Sequence, residues 1–130
     1  MQGYCNKCGN KTARSSYKYC SNQCQLDYQY AKYINDWLNG EVNGGTSSGL
    51  VSSHIKRYLR EKYNNTCQDC GWSKINPHTN KVPLEVEHVD GNHTNNKIDN
   101  LKLICPNCHA LTGTYRALNK GKGRSWRMLP

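Results

Sequence analysis

The chain has 130 residues, eight Cys and no Phe, and its formal net charge is +9. A chain of this length has room for one ordinary domain or two small metal-stabilised ones, and its low aliphatic content excludes a large apolar core. No segment is long and apolar enough to cross a membrane, and the N-terminus lacks the apolar run of a secretory signal. We therefore expect an intracellular protein.

The eight cysteines fall in four close pairs. Disulfides would require an oxidising compartment, whereas close pairs are typical of zinc sites, and two four-cysteine sites would use all eight thiols. A single Cys-x2-Cys motif could also have a redox role, but no thioredoxin-like strand and helix pattern surrounds these pairs. We predict two structural Zn²⁺ ions, one at Cys5, Cys8, Cys20 and Cys24 and the other at Cys67, Cys70, Cys105 and Cys108.

The positive charge remains after the zinc sites are included. Each site would combine four thiolates with one Zn²⁺, and two such sites would lower the net charge to about +5. Residues 1–49 contain five Lys and Arg against three acidic residues, whereas residues 50–130 contain thirteen against six. A solvated basic surface would explain this composition, but the uneven distribution favours a C-terminal half that binds phosphates.

The first 24 residues have the pattern C-x2-C-x11-C-x3-C, which resembles small treble-clef-like zinc fingers. Apolar and aromatic residues at three- and four-residue steps then predict a helix from about Asn22 to Leu38, and Gly40 is expected to end it. Residues 39–49 are rich in Gly and Ser and predict a flexible linker. The expected organisation is a finger with its helix at 1–38, the linker at 39–49 and a second domain at 50–130.

A second helix is predicted from Ser52 or Ser53 to about Tyr63, because Ser is a good N-cap residue. Ile55, Leu59 and Tyr63 would form its apolar face. Most of its other residues are basic, among them Lys56, Arg57 and Arg60. A solvated basic face and a contact with the DNA backbone explain this pattern about equally well.

Two strands and a short helix are predicted after the third cysteine pair. Residues 84–88 alternate between apolar and polar, Asp90-Gly91 is a turn signal, and residues 101–104 indicate the second strand. Pro106 suits the first turn of a helix that would carry Cys108 and His109.

Within this region, Leu84 to Tyr115 reads LEVEHVDGNHTNNKIDNLKLICPNCHALTGTY. Glu87 precedes His88, Asn100 follows twelve residues later, and His109 comes nine residues after that. From about Cys67 to Arg124 the sequence resembles the HNH endonucleases of the phage type, which carry a ββα-metal finger and a structural four-cysteine zinc site. The resemblance implies a small, zinc-stapled α+β fold.

The resemblance also implies the roles of individual residues. Glu87 and His109 would bind a catalytic divalent cation, with Mg²⁺ or Mn²⁺ expected. His88 would be the general base, since an imidazole titrates near neutral pH. Asn100 would hold the loop and thereby orient this base. The catalytic set is therefore His88, Asn100 and His109.

The function implied is metal-dependent hydrolysis of phosphodiester bonds in double-stranded DNA, giving 5′-phosphate and 3′-hydroxyl ends. One such site cuts one strand, so a monomer would nick DNA and double-strand cleavage would need a homodimer or two events. Such enzymes act in bacterial or phage-infected cytoplasm. The expected contacts with the DNA backbone are Lys56, Arg57, Arg60, Arg116, Lys120, Lys122 and Arg124.

Two other functions fit the residues. The chain could be a non-catalytic zinc-finger protein that binds nucleic acid, in which Glu87 and Asn100 would have no chemical role. It could also be an RNA-binding zinc-ribbon protein. The N-terminal finger could target DNA, contact a protein or serve as a structural cap, and we favour DNA targeting because an HNH finger alone reads little sequence.

Overall fold

The computed structural model describes residues 1–113, which fall in two compact units. The first unit comprises residues 1–42, and the second begins at Asn43. The helices and strands follow in the order α1 (Asn22–Leu38), α2 (Ser53–Lys62), β1 (Glu85–His88), β2 (Leu101–Ile104) and α3 (Pro106–Ala110), with a short 3-10 helix at Ile98–Asn100.

The first unit consists of a cysteine-bearing loop followed by α1. The Ser21 side chain accepts a hydrogen bond from the backbone N–H of Cys24 and so caps the helix. Ile34 and Trp37 are the buried residues of α1, whereas the predicted apolar positions Leu26 and Leu38 are exposed. The predicted bounds of this helix are therefore confirmed, but its buried face is narrower than predicted.

Residues 43–52 contain backbone hydrogen bonds, although residues 39–49 were expected to form a flexible linker. The N–H of Thr46 donates to the carbonyl of Leu50, and the N–H of Ser52 donates to the carbonyl of Gly44. Gly45 pairs with Val51 in an isolated antiparallel bridge. The part of the predicted linker that begins at Asn43 thus forms a closed turn in the second unit.

Helix α2 is fixed to the second unit by its apolar face and by one arginine. Ser52 caps the helix through a hydrogen bond from the Ile55 N–H, and Ile55 and Leu59 are fully buried. The Arg60 guanidinium donates to the carbonyl oxygens of Val82 at 2.9 Å and Leu84 at 3.1 Å. These two bonds hold α2 against the segment that leads into β1.

The two strands form an antiparallel pair in which Glu85 lies opposite Ile104 and His88 lies opposite Leu101. Strand β1 begins one residue later than predicted. Because side chains alternate along a strand, Glu85 and Glu87 lie on one face and His88 on the other. Helix α3 contacts β1.

The core of the second unit is small and lies around β2. Leu101, Leu103 and Ile104 are all buried, which agrees with a chain that has few large apolar residues. The buried apolar residues in the described part of this unit are Val51, Ile55, Leu59, Cys67, Val82, Leu84, Leu101, Leu103, Ile104 and Cys105. So small a core explains why further cross-links through a metal would help to stabilise the fold.

Candidate functional site

The structure gathers the eight cysteines into the two predicted groups. Cys5, Cys8, Cys20 and Cys24 form one, and Cys67, Cys70, Cys105 and Cys108 form the other. In each group all four sulfur atoms lie within 4.8 Å of one another, and all eight thiols are free of disulfides.

The sulfur geometry fits zinc. The Sγ atoms of Cys8 and Cys20 are 3.5 Å apart, and those of Cys70 and Cys105 are 3.7 Å apart. Zn–S bonds of about 2.3 Å in a tetrahedron would place sulfur atoms about 3.8 Å apart. Each group can therefore hold a structural Zn²⁺ ion with four ligands and no open position.

The two groups are built in the same way from local sequence. In each, a Gly with positive φ follows the second cysteine, at Gly9 (φ 79°) and Gly71 (φ 80°). Its N–H donates back to the carbonyl of the first cysteine, Cys5 or Cys67, at 3.0 Å. Gly adopts this left-handed conformation without the steric cost that a Cβ atom imposes.

Two thiols of the second group have pKa values that shift in opposite directions. Burial raises the pKa of the Cys67 thiol, but backbone N–H groups of Cys105, Cys70 and Asp69 outweigh that effect and lower its pKa to about 6. The pKa of Cys108 is raised, first by its hydrogen bond with the thiol of Cys70. Because zinc binds thiolates, zinc binding must displace protons from this group.

The second zinc group is also tied to the strands. The backbone N–H of Gln68 donates to the carbonyl of Leu103, and Lys102 on β2 pairs with Asp69 at 2.9 Å. Cys105 directly follows β2 and caps α3 through a hydrogen bond from the Cys108 N–H to its sulfur. The group thus fixes the position of α3, which carries His109.

Glu87 and His109 come together between β1 and α3. The Nδ1 atom of His109 is 3.5 Å from Oε2 of Glu87 and 3.0 Å from Oε2 of Glu85. Glu87 is nearly buried, since 10% of its side chain is exposed, whereas 54% of the Glu85 side chain is exposed. Glu85 was not predicted as a site residue, although it lies two residues before Glu87 on a strand, a spacing that places both side chains on one face.

His88 lies at the end of β1 and is not hydrogen-bonded to this pair. Its Nε2 atom is 2.6 Å from Oδ1 of Asn96, a buried residue of the loop between the strands. Asn96 had no predicted role. The structure brings together Glu87 and His109, the two expected cation ligands, whereas the alternation of side chains along β1 places the expected base, His88, on the opposite face of the strand.

Asn100 holds the loop between the strands. Its side-chain amide donates to Oδ1 of Asp90 at 2.9 Å and to the carbonyl of Asn95 at 2.8 Å, and its Oδ1 accepts from the Asp90 N–H. The side-chain amide of Asn95, the backbone N–H of Asn92 and the side-chain amide of Asn100 lower the pKa of Asp90 to about 2. A buried Asn100 thus anchors the loop that follows His88.

The basic residues expected to contact DNA differ in their surroundings. Lys56 is exposed, Arg57 pairs with Glu61 on the same helix at 2.8 Å, and Arg60 donates to two backbone carbonyls. Arg60 thus has a structural role that the sequence did not predict. The other four residues, Arg116, Lys120, Lys122 and Arg124, lie outside the described residues.

Comparison with known proteins identifies two relatives. The chain is 53% identical over 57 residues to the H-N-H endonuclease F-TflIV of Escherichia phage T5, a match that covers 43% of this chain and 24% of that protein. It is 38% identical over 66 residues to the Zorya protein ZorE of Escherichia coli, a match that covers 49% of this chain and 17% of that protein. The resemblance to the HNH endonucleases is confirmed.

The HNH resemblance covers only part of each protein, since the chain spans less than a quarter of the length of either relative. No family model matches the chain, and no solved structure matches it. Within residues 1–113, no helix combines the length and apolar character needed to span a membrane.

Proposed function

We propose that the chain is a metal-dependent HNH endonuclease that hydrolyses phosphodiester bonds in double-stranded DNA. The observation that carries this proposal is the meeting of Glu87 and His109 between β1 and α3, directly beside a four-cysteine group. The order strand, strand, helix supports the ββα-metal finger that the HNH resemblance implies. The phage relative, which is named an H-N-H endonuclease, supports the activity.

The ligand set at Glu87 and His109 fits a divalent cation. In an octahedral site with metal–ligand bonds of about 2.1 Å, neighbouring ligand atoms lie about 3 Å apart. The observed separation of 3.5 Å between Nδ1 of His109 and Oε2 of Glu87 needs only a small adjustment to reach this value. A carboxylate and one imidazole, with water and phosphate oxygens, suit Mg²⁺ or Mn²⁺. When bound, this cation would polarise the scissile phosphate and stabilise the departing 3′ oxygen.

His88 is the general base in this proposal. The amide oxygen of Asn96 accepts a hydrogen bond from Nε2, so Nε2 carries the proton of the neutral ring and Nδ1 keeps a lone pair. Nδ1 can then take a proton from the attacking water. Attack by water at phosphorus leaves the phosphate on the 5′ end and a hydroxyl on the 3′ end.

A plasmid-nicking assay with Mg²⁺ or Mn²⁺ tests this function. We expect the wild type to nick supercoiled DNA and His88→Ala to lose about 10²–10⁴-fold in rate, the usual contribution of a general base. His78→Ala is the matched control, because His78 is exposed and lies in the turn closed by the Asn76–Lys81 bridge, outside β1 and β2. It should cleave like the wild type.

The same assay separates the alternatives. DNA binding without cleavage in either metal would instead support a non-catalytic zinc-finger protein, and a preference for structured RNA over duplex DNA would support an RNA-binding protein. Nicked circles as the only product would indicate a monomer that cuts one strand. Linear product that increases with the square of protein concentration would indicate a homodimer.

A further inference from the structure

We propose that Glu85 is a third protein ligand of the divalent cation at Glu87 and His109. This inference rests on the proposed function and goes beyond the two-ligand site that the HNH resemblance implies. It arises from one feature of the structure, the approach of two carboxylates to a single nitrogen atom, Nδ1 of His109.

The register of the strands places both carboxylates on the face toward α3. Glu85 lies opposite Ile104 and Glu87 opposite Lys102, two positions apart on β1, so their side chains leave the strand in the same direction. His109 lies in the last turn of the short helix α3, which contacts β1. The two glutamates therefore reach His109 from neighbouring positions along one strand.

The distances to His109 favour Glu85 as a cation ligand at least as strongly as they favour Glu87. Oε2 of Glu85 is 3.0 Å from Nδ1 of His109, which equals the spacing of about 3 Å expected for neighbouring ligands of a Mg²⁺-sized cation. Oε2 of Glu87 lies farther from the same atom, at 3.5 Å. Nδ1 itself has almost no solvent-accessible surface. Both carboxylates thus lie close to the nitrogen atom that would bind the cation.

The three side chains form a looser set than the cysteines. Among residues 1–113, only the two cysteine groups bring three or more ligand atoms within 4.8 Å of one another. Glu87 is held nearly buried, whereas the half-exposed Glu85 side chain has room to turn toward the cation. Two carboxylates and a neutral imidazole would neutralise the charge of a divalent cation, which strengthens the preference for Mg²⁺ or Mn²⁺.

Glu85 could alternatively accept a hydrogen bond from His109 Nδ1–H and only orient the ring, with no contact to the cation. Glutamine separates these roles. Its side-chain oxygen can still accept that hydrogen bond, but the amide lacks the negative charge that a hard cation requires. An orienting role would therefore survive Glu85→Gln, and a ligand role would not.

The test measures Mn²⁺ binding to the full chain with both structural zinc ions in place, by the loss of the electron paramagnetic resonance signal of free Mn²⁺. Mn²⁺ does not compete well with zinc for thiolates, so it reports on the carboxylate site. We expect Glu85→Gln to weaken Mn²⁺ binding by about tenfold or more, and Glu87→Gln to weaken it at least as much. Glu61→Gln, an exposed glutamate paired with Arg57 on α2, should bind Mn²⁺ like the wild type.

The outcomes distinguish the two proposals. If the wild type binds Mn²⁺ and nicks DNA but Glu85→Gln binds Mn²⁺ equally well, Glu85 is not a ligand and the proposed function stands. If the wild type neither binds Mn²⁺ nor nicks DNA, both proposals fail. Weakened Mn²⁺ binding in Glu85→Gln, with unchanged zinc content and unfolding temperature, supports the third ligand.

Discussion

Individual polar side chains fix the shape of the loop between β1 and β2. The side chain of Asn100 bonds to Asp90 and to the carbonyl of Asn95, and the backbone carbonyl of Asn100 accepts from the Val89 N–H. Because Asn100 is buried, water cannot easily replace these bonds when the side chain is removed. The residue therefore acts on His88 through the backbone that follows it.

Asn100→Ala should destabilise the second unit by about 2 kcal/mol, because it leaves polar groups of the loop without their partner. We also expect slower DNA nicking, since the loop that carries Asn96 and follows His88 would be less well fixed. Thermal unfolding and the nicking assay measure the two effects. Asn95→Ala is a suitable comparison, because it removes a single side-chain bond to Asp90 and leaves the Asn95 carbonyl in place. An Asn100→Ala protein as stable as the wild type would contradict this assignment.

Helix α2 illustrates how one element can contain two kinds of basic residue. Ile55 and Leu59 bury its apolar face, and Arg60 lies at the edge of that face, where it bonds the carbonyls of Val82 and Leu84. Lys56 lies on the exposed surface. The basic face predicted from the sequence therefore contains two kinds of residue. Arg60 stabilises the fold, whereas Lys56 is exposed on a surface that phosphates can reach.

The substitutions Arg60→Ala and Lys56→Ala should separate these roles. Arg60→Ala is expected to lower the free energy of unfolding by about 1–3 kcal/mol, since two buried carbonyls lose a charged donor. Lys56→Ala should leave stability unchanged, weaken binding to DNA of any sequence, and reduce the slope of log affinity against log salt by about one. Chemical denaturation and a salt series of DNA binding provide the measurements. Loss of stability in the Lys56 variant would show that this residue also has a structural contact.

At the scale of the whole molecule, two small units each contain a four-cysteine group. Both groups combine a Cys-x2-Cys-Gly loop with ligands at the start of a helix, α1 in the first unit and α3 in the second. Within residues 1–113 neither unit has a large core, so zinc binding would supply much of the folding free energy of each. Metal loss at one group should therefore unfold its own unit.

We expect elemental analysis by mass spectrometry to find two zinc ions per chain in the wild type. The Cys5→Ser and Cys67→Ser variants should each contain one. Cys67→Ser should lose the amide protection of α2, β1 and β2 in hydrogen exchange while α1 stays protected, and Cys5→Ser should show the reverse. Protons displaced from the thiols make zinc affinity fall as the pH is lowered. Loss of both zinc ions in either variant would show that the units do not fold independently.

The sequence by itself determined the local features of this protein. The cysteine spacing gave both metal groups, the helical period and the Ser caps gave α1 and α2, and the alternation of residues 84–88 gave β1 to within one residue. These features depend on neighbouring residues, so a linear pattern contains the information. The HNH resemblance came from the same stretch and was confirmed by its relatives.

Only the tertiary structure decided which side chains meet across elements. The contact of Glu85 with His109, the bond between His88 and Asn96, and the bonds of Arg60 to Val82 and Leu84 each join residues separated by 8 to 24 positions. Such contacts depend on strand register and on the position that the zinc group gives to α3. Residue types alone do not specify that geometry, because the same carboxylate, amide or guanidinium would be equally suited to solvent.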